Sequence, residues 1–342
     1  MPLLNSFRLP FALLLLLPFA GCRSAPSPEL LHRYEFKQPH MGTLFTITLF
    51  APDEHAARAA SDAAYEKIAT LDSMMTDYDP DSELMQLCRK PVSEPVRVSD
   101  ELFDILQRSQ KISELSDGAF DVTVGPLVRQ WRRARRAQML PTPDQINQAR
   151  QSVGWRKLKL DSHNITVTLT VPRMQLDLGG IAKGYAADKA LEVLRQRGIT
   201  RALVAASGDI AIGNAPPGKR GWRVGIGSPA YKQARSAAQE SQAGNSVSEP
   251  LEETILLVNT AISTSGDEQQ FAIIGGVRYS HIVDPRTGVG LTNQLQVSII
   301  AKRATDTDAF ATTVCVLGKE KGLKLIKSQR GIKAIFQSGS SR

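Results

Sequence analysis

The amino-acid sequence predicts an α+β fold in a single large domain. Segments that alternate apolar and polar residues, as strands do, recur along the chain, and segments with apolar residues at helical spacing lie between them. Residues that cap helices and form turns separate the two kinds of segment. The chain has 342 residues, of which 42% are hydrophobic, and is long enough for one large domain or two lobes.

The predicted strands are short and spread over the whole chain. Residues 44–50 show the pattern most clearly, because Phe45, Ile47 and Leu49 alternate with threonines. Gly275 and Gly276 are predicted to form the turn of a hairpin. The other predicted strands are residues 34–36, 158–160, 165–169, 174–178, 201–206, 222–226, 254–259, 296–301 and 332–336.

The predicted helices are marked by capping residues. Asp53 caps a helix that runs to Met75, and Ser99 caps a later helix. Residues 78–84 form a turn that leads into a short helix. Residues 231–253, which are polar and rich in Ala, Ser and Gln, are predicted to form an exposed loop. The remaining predicted helices are residues 143–154, 180–198, 306–317 and 321–327.

The N-terminus is predicted to be an export signal. Arg8 precedes an apolar run, residues 9–20, that is too short to cross a bilayer as an ordinary helix. Small residues stand directly before Cys22, which resembles the lipobox of bacterial lipoproteins, although Phe19 replaces the usual Leu. We therefore expect a lipoprotein signal peptide over residues 1–21, a lipidated Cys22, a tether over residues 22–32 and a folded domain over residues 33–342. A plain signal peptide is the alternative.

This reading places the protein outside the cytoplasm. A lipidated Cys22 would anchor it to a bacterial membrane, facing the periplasm. Export also makes a disulfide bond between Cys88 and Cys315 chemically feasible. Cys315 lies in an apolar helical segment and is most simply a small buried residue, so the sequence leaves the redox state of both thiols open.

Basic residues are concentrated in one segment. The formal net charge is +8, and much of the excess lies within residues 129–136. We interpret Trp131-Arg132-Arg133-Ala134-Arg135-Arg136 mainly as the solvent-facing side of a helix. Binding to a partner protein or to lipid headgroups is the alternative. No nucleic acid is expected as a partner, because the protein is predicted to be exported.

Residues 175–188 form the first candidate site. A predicted strand ends at Gly179 and Gly180, where a helix begins. Glycines let the backbone approach a ligand closely, and the N-terminus of a helix favours an anion. Asp177 before the turn and Lys183 inside the helix add one charge of each sign. An ordinary strand-to-helix turn with a surface lysine is the alternative.

Two further candidate sites lie near the C-terminus. Asp308 and Thr312 share one helical face, and with a backbone carbonyl from a glycine turn they offer the oxygen ligands that Mg²⁺ prefers. Asp308 could equally act as a helix cap or dipole partner. His281 has Asp284 and Arg286 nearby, a set suited to proton transfer beside an anion, although a lone histidine is more often structural.

Taken together, seven segments resemble the FAD:protein FMN transferase (ApbE-like) family, in matching order and over nearly all of the predicted mature chain. This resemblance implies an α+β fold of the T-fold-like, ApbE-type kind. It also implies an exported enzyme that cleaves FAD and attaches FMN through a phosphoester to Thr or Ser of a partner protein, with release of AMP. The segments are His40-Met41-Gly42-Thr43 and residues 78–84, 117–127, 176–188, 263–267, 280–288 and 306–312.

The resemblance also implies partners and site residues. The acceptor would be a subunit of a membrane redox complex that carries a Thr or Ser flavinylation motif, and a homodimer stays open. Mg²⁺ would be held by Asp308, Thr312 and the carbonyl around Gly180. His281 would assist deprotonation of the acceptor hydroxyl, with Asp284 or a metal-bound water as alternatives. FAD would be surrounded by Met41, Tyr78, Ala119, Phe120, Asp121, Asp177, Lys183 and His281.

One segment departs from the family. Where the family usually has Asn and paired glycines, this chain has Ala205 and Ser207, which could loosen adenine or ribose contacts or alter activity. Two alternative functions therefore stay open, an FAD pyrophosphatase that gives FMN and AMP and a non-catalytic flavin-binding lipoprotein. An FAD-dependent oxidoreductase is less favoured, because the glycine turn lacks a Gly-x-Gly-x-x-Gly pattern.

Overall fold

The computed structural model describes residues 30–226, 253–266 and 271–337. The predicted signal peptide, Cys22, most of the tether and nearly all of the predicted loop at 231–253 lie outside these ranges. The described residues from Leu31 onward belong to one compact unit, as expected of a single large domain. None of the helices within the described ranges has the length and apolar character needed to cross a membrane.

The helices begin and end close to the predicted positions. The Asp53 side chain accepts a hydrogen bond from the Ala56 N–H at 2.7 Å, and Ser99 caps α3 in the same way. After the sixth helix Gly198 adopts a left-handed φ of +81°. The helices are α1 (Glu54–Met75), α2 (Glu83–Cys88), α3 (Asp100–Leu115), α4 (Gly125–Ala137), α5 (Pro143–Arg150), α6 (Ala182–Gln196) and α7 (Ala304–Ser328).

In the part of the chain that the structure describes, the strands form one large sheet and three small ones. Most of the predicted strands are confirmed, including the hairpin at Gly275 and Gly276, both of which have positive φ. The strands are β1 (His32–His40), β2 (Thr43–Ala51), β3 (Val96–Arg97), β4 (Leu158–Asp161), β5 (Thr166–Leu169), β6 (Ala202–Ala206), β7 (Asp209–Ile212), β8 (Trp222–Ile226), β9 (Glu253–Leu257), β10 (Ala261–Ser265), β11 (Phe271–Ile274), β12 (Val277–Ser280), β13 (Gln296–Ala301) and β14 (Lys333–Gln337).

The large sheet organises the core. Its strands lie in the order β1-β2-β6-β7-β10-β13-β14, and all neighbours are antiparallel. Helices α1, α6 and α7 bury their apolar residues in one core with strand residues such as Ile47 and Val204. Side chains on the other face of the same strands, such as those of Ile212 and Ile262, contact Trp222 and Val224 of the β8–β9 ribbon instead. The sheet is therefore covered on both faces.

Helices α6 and α7 approach each other unusually closely. A Cβ built on Gly184 would lie 2.1 Å from the carbonyl oxygen of Ala304, so only glycine fits there. The carboxylate of Asp188 accepts hydrogen bonds from the N–H groups of Ala304 and Thr305, both at 2.9 Å. Asp188 on α6 thus caps α7, whose own cap residue, Arg303, makes no side-chain cap.

The structure corrects some of the sequence predictions. Residues 174–178 do not form a regular strand, and their pairing is limited to a single bridge between Gln175 and Val124. Met174, Leu176 and Leu178 are buried, as the alternating pattern predicted. Within the described ranges no neighbouring strand lies alongside them, so the segment does not become part of a sheet. The predicted helices at 306–317 and 321–327 form α7, which is broken at Gly318, where φ is +78°.

The two cysteines of the folded domain are not bonded to each other. Cys315 is buried, as predicted from its apolar segment. The Cys88 sulfur accepts a hydrogen bond from the Leu176 N–H at 3.3 Å, and burial raises the pKa of this thiol to about 11. The structure therefore has no disulfide bond between Cys88 and Cys315.

Candidate active site

A cavity of about 1250 Å³ opens beside the N-terminal turns of α6 and the middle of α7. It exceeds the usual size of a small-molecule site and has room for a dinucleotide. Apart from Asp284, all of the predicted flavin-site, catalytic and metal residues line it. They are Met41, Tyr78, Ala119, Phe120, Asp121, Asp177, Gly180, Lys183, His281, Asp308 and Thr312.

Lys183 lies between two carboxylates at the base of this cavity. Its Nζ is 2.7 Å from Asp209 Oδ2 and 3.5 Å from Asp308 Oδ2. Burial alone would lower the pKa of Lys183, but the two carboxylates outweigh burial and raise it above its ordinary value. Burial and the neighbouring Asp209 raise the pKa of Asp308 to about 7, although Lys183 opposes this shift. The cluster carries charges of both signs in a partly enclosed place.

The predicted metal ligands lie next to one another. A Cβ built on Gly180 would be 3.3 Å from Thr312 Oγ1, which places this backbone beside the hydroxyl. Asp308 Oδ2 accepts the Gly184 N–H at 3.0 Å, one turn of α7 before Thr312. The Oδ1 atom of Asp308 and the hydroxyl of Thr312 make no hydrogen bond within the described ranges.

Oxygen donors of this kind fit Mg²⁺, which prefers carboxylate, hydroxyl and carbonyl ligands and keeps several waters. Within the described ranges the chain has no cluster of three or more His, Cys, Asp or Glu side chains suited to a metal ion. A metal in this cavity could take the Asp308 carboxylate, the Thr312 hydroxyl and a backbone carbonyl as ligands.

The N-terminus of α6 faces the same cavity. Gly179, Gly180 and Ala182 line it, and Ile181, the residue at the cap position, makes no side-chain hydrogen bond to the helix. The Gly179 N–H donates to Asp177 Oδ1 at 2.8 Å, which fixes the turn before the helix. The helix dipole favours an anion at this end, where the Asp308 carboxylate already accepts the Gly184 N–H, and Lys183 adds a full positive charge.

A second charged cluster in the cavity was not predicted from the sequence. Arg132 of α4 donates to Asp77 and, at 3.2 Å, to Asp177, and its guanidinium lies 4.5 Å from the centre of the Tyr78 ring. The sequence placed Arg132 on a solvent-facing helix surface, and for this residue that prediction is wrong. The side chain is only 20% exposed, because α4 turns Val128 and Arg132 towards the cavity. The four-residue spacing of these two residues was the available signal.

Two aromatic side chains of the cavity differ in how far they are exposed. The Phe120 ring is buried and lies against Gly180. Tyr78 is 77% exposed and rests on Arg132, so much of its ring stays open to a ligand. A planar ring could stack on the free part of Tyr78.

The loop that carries Phe120 is held by Asp121. Its carboxylate accepts hydrogen bonds from the N–H and hydroxyl of Thr123 and from the Trp155 N–H, at 2.7 to 2.8 Å. Burial raises its pKa, and the bonds from Thr123 and Trp155 act in the opposite direction. With three protein donors in place, the Asp121 side chain shapes the loop, and Ala119 and Phe120 form the neighbouring cavity wall.

Met41 and Ser207 both line the cavity in left-handed backbone conformations. The Met41 N–H donates to Asp72 Oδ2 at 2.7 Å, with φ at +49°. Ser207 has φ of +57°, a conformation that glycine adopts at less cost. Ser207 therefore keeps the turn between β6 and β7 and adds a hydroxyl to the cavity. Ala205 does not line the cavity.

His281 lines the cavity and Asp284 does not. His281 follows β12 and lines the cavity in a half-buried position. Asp284 is buried outside the lining, and its two oxygens accept from Arg286 Nε and Nη2 at 2.9 and 2.8 Å. The Asp284 carboxylate is thus engaged by Arg286 and holds the loop after β12. His281 is the better placed of the two for proton transfer.

A match to a known family accompanies this geometry. The family model described as the ApbE family covers residues 41–336. The chain belongs to the ApbE family. Two relatives named FAD:protein FMN transferase are similar to this ApbE-family chain. The one from Vibrio cholerae is 30% identical over 326 residues, 93% of this chain and 90% of the relative. The one from Treponema pallidum is 31% identical over 333 residues, 92% and 87% respectively.

Solved structures of ApbE proteins match the same fold. The flavin transferase ApbE from Vibrio cholerae matches with a TM-score of 0.76 and 28% identity, over 90% of this chain and 94% of that chain. The apo form of the flavinyl transferase ApbE from Pseudomonas stutzeri matches with a TM-score of 0.76 and 27% identity, over 90% and 92%. These findings confirm the predicted ApbE-type α+β fold, and the ApbE-family chain is a transferase.

Proposed function

We propose that the protein is a Mg²⁺-dependent FAD:protein FMN transferase. The observation that carries this proposal is the single cavity in which Lys183, the N-terminus of α6 and the oxygen atoms of Asp308 and Thr312 meet beside His281. A pyrophosphate needs cationic and N–H donors, and its cleavage needs a group that removes a proton from the nucleophile. The cavity offers both kinds of group. The relatives from Vibrio cholerae and Treponema pallidum, both named FAD:protein FMN transferase, support the same reaction.

The proposed reaction is a phosphoryl-type transfer. The hydroxyl oxygen of an acceptor Thr or Ser attacks the phosphorus on the FMN side of FAD. The bond between this phosphorus and the bridging oxygen breaks, the bridging oxygen leaves with AMP, and a phosphoester joins FMN to the acceptor. An imidazole nitrogen of His281 accepts the hydroxyl proton, which then passes to solvent.

The other residues bind and orient. Lys183 and the first turn of α6 would neutralise the pyrophosphate, and Asp209 keeps the Lys183 ammonium in place at 2.7 Å. Asp308, Thr312 and the carbonyl around Gly180 would hold Mg²⁺. Bound Mg²⁺ would supply further neutralisation of charge on the phosphate oxygens. Tyr78, with Arg132 behind its ring, gives a planar ring of FAD a surface for stacking.

The location and partner belong to the same proposal. We infer a periplasm-facing lipoprotein anchored through Cys22, since the residues before it resemble a lipobox. The acceptor would be a Thr- or Ser-bearing subunit of a membrane redox complex, which a membrane anchor would keep within reach. Whether the protein forms a homodimer is left to a measurement of its mass in solution.

The mass of the acceptor tests the proposed reaction. The purified protein is incubated with FAD, Mg²⁺ and an acceptor domain that carries a Thr flavinylation motif, and the intact mass of the acceptor is measured. A gain equal to FMN minus water, with one AMP released for each acceptor modified, is expected. AMP and free FMN with an unmodified acceptor would instead indicate a pyrophosphatase, and flavin binding without AMP would indicate a non-catalytic flavin-binding protein.

A further inference from the structure

Helix α4 presents one stripe of side chains to the cavity. Val124, Val128, Arg132 and Arg135 line it, at spacings of four, four and three residues, which places them on one side of the helix. The stripe is apolar where α4 begins and cationic where α4 ends. The C-terminal end of α4 therefore brings positive charge to one part of the cavity wall.

The two arginines of this stripe differ in their partners. Arg132 forms ion pairs with Asp77 and Asp177. Arg135 is half-buried, and its guanidinium has no ion pair or hydrogen bond within residues 30–226, 253–266 and 271–337. Burial and the nearby charge of Arg132 lower the pKa of Arg135. A half-buried cation without a counter-charge is unfavourable, so an anion from another molecule would stabilise it.

Arg135 and Tyr78 both line the cavity, and exposed apolar side chains follow α4 along the chain. Tyr78 is 77% exposed, and Met139 and Leu140, which follow α4 after Gln138, are 69% and 45% exposed. Exposed side chains of this size a few residues from a charged group are typical of a binding surface for a polypeptide. Arg135, Tyr78, Met139 and Leu140 are called the cavity rim below.

We propose that the cavity rim binds an acidic, partly apolar segment of the acceptor protein. A carboxylate of the segment pairs with Arg135, an apolar side chain packs on Met139 and Leu140, and the acceptor hydroxyl thereby enters the cavity. The inference rests on the proposed function, because only a transferase to protein needs an acceptor segment here.

A polypeptide fits this surface better than a membrane does. Arg135 is part of the cavity wall, whereas Arg133 and Arg136 of the same helix are exposed on its outer side. A flat layer of anionic headgroups would contact the outward arginines first. A flexible segment of polypeptide can enter the cavity and reach Arg135.

Peptide binding tests the proposal without requiring any transfer. The probes are two fluorescein-labelled peptides with one Thr and one Leu, which differ only in having Asp and Glu or Asn and Gln at the flanking positions. Fluorescence anisotropy gives the Kd of each for the full-length protein, for Arg135→Glu and for the control Arg133→Glu, which makes the same charge change on the outer side of α4.

The acidic peptide is expected to bind the unmodified protein more tightly than its amide counterpart. Arg135→Glu should weaken the acidic peptide about fivefold or more, and Arg133→Glu by less than about twofold. The Kd for FAD, measured by flavin fluorescence, should stay unchanged in both variants. Added salt should weaken the acidic peptide in the unmodified protein and much less in Arg135→Glu.

Three results would overturn the proposal. They are equal or absent binding of the two peptides, equal losses in the two arginine variants, and a loss of FAD affinity in Arg135→Glu, which would assign Arg135 to the dinucleotide. Loss of binding to vesicles of anionic lipid in Arg135→Glu, with peptide binding intact, would favour a membrane partner instead. The proposed function is judged separately, from the acceptor mass obtained with the unmodified protein.

Discussion

At the scale of single residues, the cavity combines groups that the sequence spreads over more than 250 positions, from Met41 to Thr312. Lys183 shows how burial and charge act together, because its ammonium is stabilised by Asp209 and Asp308 in a place that would otherwise disfavour it. A cation held in this way is positioned before any ligand arrives. Such a group loses little conformational entropy when a phosphate binds.

His281 is the residue on which the proposed proton transfer depends. His281→Ala should lower kcat for FMN transfer by about a hundredfold or more, because a positioned general base contributes about this much. The Kd for FAD should change by less than about twofold. The measurement is a transfer time course together with a flavin fluorescence titration.

His163→Ala is the matched control for this variant. His163 is exposed at the bend between β4 and β5 and makes no side-chain contact with the cavity. It should leave both kcat and the Kd for FAD unchanged. If His281→Ala weakened FAD binding as much as it slowed transfer, His281 would be a binding residue and the assigned proton transfer would be incorrect.

The sequence made some of these residues predictable and others not. Lys183, Asp308 and Thr312 stand in ordered motifs next to glycines or at helical spacing, so they could be proposed before the structure. Arg132 could not, because a run of arginines on a helix usually faces solvent, and its partners Asp77 and Asp177 come from distant segments. Ion pairs between distant segments leave no local pattern in a sequence.

At the scale of secondary structure, the site depends on how α6 contacts α7. Gly184 lets the helices meet, and its N–H donates to Asp308 Oδ2 at 3.0 Å. Asp188 caps the first turn of α7 from the neighbouring helix. The position of Asp308 relative to Lys183 is therefore fixed by contacts between two helices.

Gly184→Ala should destabilise the protein by more than about 3 kcal/mol. The added Cβ would lie 2.1 Å from the backbone oxygen of Ala304, and backbone cannot move aside as a side chain can. Gly218→Ala is the control, because nothing lies within 4 Å of its Cβ, and left-handed backbone should cost only about 1 kcal/mol. Urea unfolding followed by circular dichroism measures both, and similar values for the two variants would contradict the close packing of α6 on α7.

Asp188→Ala should destabilise the protein by about 1 to 2 kcal/mol, because two N–H groups at the start of α7 lose their acceptor. Asp188→Asn should cost less, since its amide oxygen can still accept one of these bonds. Urea unfolding is again the measurement. Equal stability of the unmodified protein and Asp188→Ala would show that water replaces the carboxylate without cost.

The elements themselves were largely predictable, whereas their pairing was not. Asp53, Ser99 and Gly198 mark helix ends through local hydrogen bonds and backbone preferences, so the sequence carries that information. Residues 174–178 were predicted to form a strand and do not, which shows the limit of prediction from an alternating pattern. Alternating burial arises in any extended segment packed on a core. Whether such a segment joins a sheet depends on neighbours that are distant in the sequence.

At the scale of the whole molecule, the cavity is bordered by segments from both halves of the chain. A ligand bound in the cavity should therefore stabilise the folded protein. FAD with Mg²⁺ at a hundred times its Kd should stabilise the folded protein by about 2.7 kcal/mol, if it binds only the folded state. For a domain of this size the midpoint of thermal unfolding should rise by about 4 °C. Differential scanning calorimetry with and without both ligands is the measurement, and an unchanged midpoint would argue against binding in this cavity.

We propose that this cavity cleaves FAD with the help of a metal held by α7. The most direct measurement is the rate of AMP release from FAD, with acceptor present, over a range of Mg²⁺ concentrations for the unmodified protein, Asp308→Ala and Asp306→Ala. Asp306 lies two residues away and outside the cavity lining, so it controls for loss of a charge from α7. We expect Mg²⁺-dependent release in the unmodified protein and in Asp306→Ala, and a loss of about a hundredfold or more in Asp308→Ala. Release at the unmodified rate in a folded Asp308→Ala protein would contradict the claim.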